Sequence, residues 1–125
     1  RDSLVGIVLT HAHEDHLGAV ADLWPRLKAP VHATPFAAAV LRRKLSEAGL
    51  RDMVPVTEIP LGGRFSLAPF ELELITMTHS ILEPNALAIR TKFGTVFHTG
   101  DWKIDPEPLL GDTTNEAMLK RIGDE

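Results

Sequence analysis

The feature that most constrains this chain is a loop that places four side chains able to bind a metal within six positions. His11, His13, Asp15 and His16 follow an apolar run at residues 5–9, which predicts a buried strand, and precede a helical pattern. In extended backbone the side chains of His11, His13 and Asp15 project to one side, and the turn into the helix brings His16 to join them. Imidazole and carboxylate ligands suit zinc, manganese or iron. The spacing therefore predicts a metal-binding loop.

Each histidine also has a plainer interpretation, since a single buried histidine is more often a hydrogen-bonded core residue than a ligand. Three histidines and an aspartate within six positions are hard to explain by packing alone. Glu14 points to the opposite side in extended backbone, and we expect it to be solvated or to contact a ligand from outside. It is not the catalytic glutamate of an H-E-x-x-H helix, because His16 follows His13 by three positions. His32 is expected to be a surface or packing residue, and His98 a core residue or a neighbour of the ligands.

Two later residues have the same setting as the loop. His79 follows a predicted strand at residues 72–78, and Asp101 follows one at residues 95–98. Alone, each would be interpreted as a cap, a turn former or a surface residue. Their position just past strand ends makes them candidate ligands.

The order of predicted elements favours an α/β (α+β) fold. The first half is expected to be β-α-β-α, and the second half mainly β, with a final helix that a capping box from Thr113 to Glu116 would begin. The predicted strands are residues 5–9, 30–34, 54–59, 86–91 and 95–98, together with residues 65–78, which a turn at Ala68-Pro69 divides. The predicted helices are residues 16–27, 36–48 and one near the end. With 125 residues, one domain or part of one is expected.

Composition limits the classes of partner. The formal net charge is -4, and the only basic cluster is Arg42-Arg43-Lys44, which we expect to be solvated; on charge alone this is a poor nucleic-acid binder. Bound cations would offset the charge of Asp15 and Asp101. There is no cysteine, so thiolate ligands and disulfides are excluded. No apolar run approaches the ~20 residues that span a bilayer. These features suit a cytoplasmic protein without a membrane partner.

Three ordered motifs resemble those of the metallo-β-lactamase superfamily. They are His11-x-His13-x-Asp15-His16, then Thr78-His79-Ser80, then His98-Thr99-Gly100-Asp101. The residues around them, Leu9 to Val20 and Val96 to Asp105, look most like ribonuclease J-like enzymes of the β-CASP branch. In particular, Thr78 and Ser80 flank the third-motif histidine as they do in those enzymes.

The resemblance implies an αββα sandwich with two divalent metal ions, zinc first and manganese as the alternative. It assigns His11, His13 and His79 to one metal, Asp15 and His16 to the other, and Asp101 to both. Asp15 and Asp101 are the expected catalytic residues. The activity implied is hydrolysis of RNA phosphodiesters by metal-activated water, with RNA as the partner of the full-length protein and a homo-oligomer as a further expectation.

The resemblance also predicts parts that the sequence does not contain. Members carry a further histidine for the second metal, strands upstream of the first motif, and a β-CASP domain downstream. We therefore expect residues 1–125 to be a partial metallo-β-lactamase domain, inactive in isolation. Two alternatives stay open: a small-molecule hydrolase of the same superfamily acting on a thioester, lactone or lactam, and a non-catalytic fragment. Flanking sequence and metal analysis would discriminate them.

Overall fold

The computed structural model describes residues 3–125 and contains two compact units, Arg1–Pro60 and Leu61–Glu125. Both mix helices with strands, and one sheet is parallel while the other is antiparallel. The expected α/β class is confirmed. Among the described residues, no helix is long and apolar enough to cross a membrane.

The first unit is built on a three-stranded parallel sheet in the order β1-β2-β3. Its elements in chain order are β1 Ile7–Val8, α1 Glu14–Leu17, α2 Val20–Leu27, β2 Val31–Ala33, α3 Pro35–Glu47 and β3 Val56–Glu58. The strands are short, and β2 is buried along its whole length. β2 has a parallel neighbour on each side, and the burial of all three of its residues is typical of the centre of a parallel sheet.

One prediction for the first unit needs correction. The single helix expected at residues 16–27 is two helices, with Gly18 and Ala19 between them. Pro25 lies inside α2. Leu17 and Trp24 are buried, and the Trp24 indole Nε1–H donates to the carbonyl of Ala29 at 2.8 Å. This burial stabilises α1 and α2, since helices this short depend on tertiary packing.

The second unit is a four-stranded antiparallel sheet in the order β4-β5-β6-β7, followed by one helix. The elements are β4 Arg64–Leu67, β5 Phe70–Thr76, β6 Asn85–Thr91, β7 Gly94–His98 and α4 Glu116–Gly123. Ile75, Met77, Ala86 and Ala88 form a buried cluster on one face, and Phe97 and three residues of α4 pack against it. These α4 residues are Met118, Leu119 and Ile122. Their near-helical spacing gives α4 one apolar face.

The helix expected at the end of the chain is present, but the predicted capping box is wrong. The N-cap is Asn115 rather than Thr113, and its side chain accepts a hydrogen bond from the Met118 N–H at 3.1 Å. The Asn115 N–H donates to the carbonyl of Thr76 at 3.0 Å. Because this bond holds residue 115 in line with the end of β5, the helix begins only after it.

Candidate metal centre

The three histidines of the loop lie close together. The rings of His11 and His13 are 5.0 Å apart between centroids in an edge-to-face arrangement, and those of His11 and His16 are 4.2 Å apart. The ring nitrogens of His11 and His13 lie within 4.8 Å of each other, as do those of His11 and His16. Nitrogen atoms at these separations fit ligands of a common ion, so the donor set and the spacing both fit a divalent metal.

His11 is the most deeply placed of these residues, with 0% of its surface exposed. The strand β1 leads directly to it, and the Leu9 N–H donates to the carbonyl of His32 on β2 at 2.9 Å. The His11 Nδ1 lies 3.0 Å from the Thr10 hydroxyl. A hydrogen bond to one ring nitrogen of a histidine fixes the orientation of the ring.

We expected extended backbone through residue 15, but in the structure it ends at His13. The helix α1 begins at Glu14, with His13 as its N-cap in extended conformation. Asp15 therefore lies on a helix, where its Oδ2 is 3.6 Å from Nε2 of His16, and its side chain is 78% exposed. Helical rotation rather than strand alternation therefore places Asp15, and it lies beside His16.

In the second unit the structure brings His79 and Asp101 together. His79 Nε2 and Asp101 Oδ2 are 3.8 Å apart, although 22 positions separate the residues in sequence. His79 follows β5, while Asp101 follows β7 after a turn at Gly100, whose φ of 60° favours glycine. β5 and β7 are both antiparallel to β6, so they run in the same direction and their C-terminal ends lie at the same edge of the sheet.

Of the two roles expected for His98, the core role is wrong, because His98 is exposed. Its Nδ1 accepts a hydrogen bond from the Gly100 N–H at 3.0 Å. It therefore shapes the turn that leads to Asp101. His32, by contrast, is buried on β2, and burial lowers its pKa.

Glu14 is held by a residue that the sequence analysis did not single out for the site. Nζ of Lys44, on α3, lies 2.6 Å from Oε2 of Glu14. A Cβ at Gly18 would lie 2.2 Å from Oε1 of Glu14, so the carboxylate occupies space that only glycine leaves open. Glu14 is thus exposed, as one of its expected roles requires, and it is also paired with α3.

The other members of the basic cluster are also paired with acids. Arg42 contacts Glu58, and Arg43 contacts Glu47 one helical turn further along α3. The expectation that the cluster is simply solvated was therefore incomplete. No local sequence signal reveals the Lys44 partner, because 30 positions separate it from Glu14.

A groove of about 700 Å³ lies in the second unit next to Asp101. Phe97, Trp102 and Leu119 line it, and Trp102 is 50% exposed. Lys103 and Asp105 form an ion pair of 3.1 Å at its margin.

Comparison with known proteins agrees with the motifs. Residues 1–119 match the beta-lactamase superfamily domain. The chain belongs to this superfamily. Within it, the chain is similar to Ribonuclease J of Sinorhizobium meliloti, with 50% identity over 125 residues that cover 100% of this chain and 22% of that protein. Ribonuclease J of Helicobacter pylori strain 26695 is 39% identical over 129 residues, which cover 99% of this chain and 18% of that protein. The chain thus spans about a fifth of the length of these relatives.

Solved structures support the same fold. Igni18, a metallo hydrolase from Ignicoccus hospitalis, has a TM-score of 0.57 and 23% identity, and the match covers 78% of this chain and 42% of that one. A protein of unknown function from Enterococcus faecalis V583 has a TM-score of 0.59 and 16% identity, over 79% of this chain and 25% of that one. At this level of identity the likeness concerns the fold alone.

Proposed function

We propose that this chain supplies metal ligands to a metal-dependent RNA phosphodiesterase. The observation that carries the proposal is the histidine cluster of the loop, within a sequence 50% identical to Ribonuclease J along its whole length. The ligand types also favour this, because neutral imidazole and carboxylate bind zinc or manganese without thiolate.

The proposed ligands keep the roles that the superfamily motifs imply. His11, His13 and His79 would hold one ion, Asp15 and His16 would hold a second, and Asp101 would be a ligand of both. When bound, such ions act as Lewis acids and lower the pKa of a coordinated water to near neutrality. The chain's own contribution is to orient these donors: the Thr10 hydroxyl turns the ring of His11, and α1 presents the side chains at positions 15 and 16.

Asp15 and Asp101 are the proposed catalytic residues, because each would touch the reacting centre through the metals it holds. Their carboxylates are partly or largely exposed, so a substrate can reach them. The groove beside Asp101 supports RNA as the substrate, since aromatic side chains such as Trp102 can stack with bases regardless of sequence. The net charge of -4 is compatible with this once two divalent cations are bound.

The test is the replacement Asp101→Ala, with Asp112→Asn as an exposed control in the same unit. In the full-length protein, hydrolysis of single-stranded RNA should be abolished by Asp101→Ala and unchanged by the control, while circular dichroism shows the same fold for both. Metal content, measured by mass spectrometry of the purified proteins, should fall only in Asp101→Ala. RNA hydrolysis at the wild-type rate by Asp101→Ala would refute the assignment.

Two alternatives are decided by the same preparations. Hydrolysis of a thioester, lactone or lactam in place of RNA would indicate a small-molecule hydrolase of the superfamily. A wild-type protein that binds neither zinc nor manganese would indicate a non-catalytic role.

A further inference from the structure

Two threonines that are far apart in sequence exchange hydrogen bonds next to His79. The Thr78 N–H donates to the Thr114 hydroxyl at 3.0 Å, and the Thr114 N–H donates to the Thr78 hydroxyl at 2.9 Å. The Thr114 hydroxyl in turn donates to the Thr78 hydroxyl at 3.2 Å. Thr78 is only 1% exposed, so water does not compete for these bonds.

The remaining backbone group of Thr78 reaches the segment that carries Asp101. The Thr78 carbonyl accepts a hydrogen bond from the Lys103 N–H at 2.7 Å, two positions beyond Asp101. Thr78 itself directly precedes His79. The backbone of one residue therefore links both proposed ligands of this unit, whose side chains are 3.8 Å apart.

Thr114 is in turn fixed by the helix that follows it. Asn115 caps α4 and donates its N–H to the Thr76 carbonyl, so residues 114 and 115 run along the end of β5. The apolar face of α4 packs on the sheet through Met118, Leu119 and Ile122. The packing of α4 therefore fixes the position of the Thr114 hydroxyl next to Thr78.

We propose that Thr114 is a positioning residue for the metal centre, acting through Thr78 to hold His79 at its separation from Asp101. The inference rests on the proposed function, in which the separation between His79 and Asp101 matters because both residues are metal ligands. It adds a residue outside the three motifs. Hydroxyl-to-amide bonds suit this role because they are directional and carry no charge that would perturb the ligands.

The test compares three substitutions. Thr114→Val keeps the shape but removes the hydroxyl, and leaves the Thr78 N–H without this acceptor. Thr114→Ser restores the hydroxyl. Thr113→Val is the matched control, because Thr113 is the exposed neighbour.

The first readout is zinc affinity, measured by competition with a chromophoric chelator. Thr114→Val should bind zinc about tenfold more weakly, the lower end of the range for groups that support metal ligands from outside. Thr114→Ser and Thr113→Val should stay within about twofold of wild type. Leu72→Ala, a buried truncation on β5 that leaves both hydroxyls in place, controls for loss of stability alone. Equal weakening in Leu72→Ala and Thr114→Val, or failure of serine to restore affinity, would overturn the proposal.

The second readout separates this inference from the proposed function. Crystal structures of the metal-free wild type and Thr114→Val proteins report the distance from His79 Nε2 to Asp101 Oδ2 directly. The distance should increase from 3.8 Å only in the variant. An unchanged distance overturns the positioning role even if zinc binds, whereas a wild type that binds no zinc overturns the proposed function alone.

Discussion

Replacing Glu73 with glutamine tests how the second unit is held together. Glu73 lies on β5 and is 2% exposed, yet it is a carboxylate. Its oxygens contact Arg64 at 3.3 Å, Arg90 at 2.9 Å, and Arg121 on α4 at a shorter distance. Burial by itself would raise the pKa of Glu73, but hydrogen bonds from Arg90 and Arg121, and the charges of Arg121 and Arg64, outweigh it and lower the pKa. The ion is therefore stabilised where an isolated carboxylate would be neutral.

The loss of unfolding free energy in Glu73→Gln depends on the ion pairs that each arginine loses. Removing one partner of a buried ion pair costs about 3–5 kcal/mol. The cost is smaller here, since Arg64 is mostly exposed and Arg90 and Arg121 keep ion pairs with Glu125 at 2.8 and 3.1 Å. We expect Glu73→Gln to lower the free energy of unfolding by about 2–3 kcal/mol. For a chain of this length, that corresponds to a fall in Tm of roughly 8–12 °C.

The assay is urea unfolding of the metal-free protein, with Glu71→Gln as the control. Glu71 lies on the same strand but is exposed and bonded to Ser66, so its replacement should change the unfolding free energy by less than about 0.5 kcal/mol. Because the folded-state pKa is lowered, Glu73 stabilises the fold above the usual glutamate value of 4.5, and this contribution is lost as the pH falls through the lowered pKa. The difference between wild type and variant should therefore narrow at acidic pH. A variant as stable as wild type at pH 7 would refute the reasoning.

Two further predictions concern the first unit. Lys44→Met should release Glu14 and weaken metal binding by α1 about two- to fivefold, the scale of a partly exposed ion pair. Arg43→Met is the control, because it loses only the exposed ion pair with Glu47. Equal zinc affinities in the two variants would contradict the prediction. Burial lowers the pKa of His32, so stability should be complete above its usual value of 6.5 and decrease as the pH falls below it. Metal-free unfolding between pH 7 and pH 5 should show a smaller decrease in His32→Gln, and an unchanged slope would argue against this origin.

The sequence was sufficient for the elements and for the composition of the candidate site. The loop at residues 11–16 combines a strand signal with ligand types that packing does not require, so it predicts the candidate metal-binding loop without tertiary information. The strands that precede His79 and Asp101 were also predicted, with bounds that differ from β5 and β7 by a residue or more. The local sequence pattern predicts approximately where each strand ends, and the candidate ligands were found by looking just past those ends.

Tertiary contacts decided what the sequence left undetermined. The start of α1 at Glu14 depends on Leu17, whose complete burial holds a four-residue helix that is unstable by itself. The N-cap of α4 moved to Asn115 because residue 114 bonds to Thr78 instead. The partner of Glu14 lies on another helix. In each case the choice depends on a residue brought close by folding, which spacing along the chain does not encode.

The threonine pair also has a consequence for folding kinetics. It joins residues 36 positions apart, whereas the histidines of the first loop are neighbours in sequence. Closing a longer loop costs more entropy, and contacts between distant residues slow folding. The proposed ligands at residues 11–16 can therefore approach one another early, even on a nascent chain whose helix α4 has not yet been synthesised. On the proposed role of Thr114, the separation between His79 and Asp101 is set only after α4 has formed, which makes the ordering of residue 114 a late step in the maturation of the proposed centre.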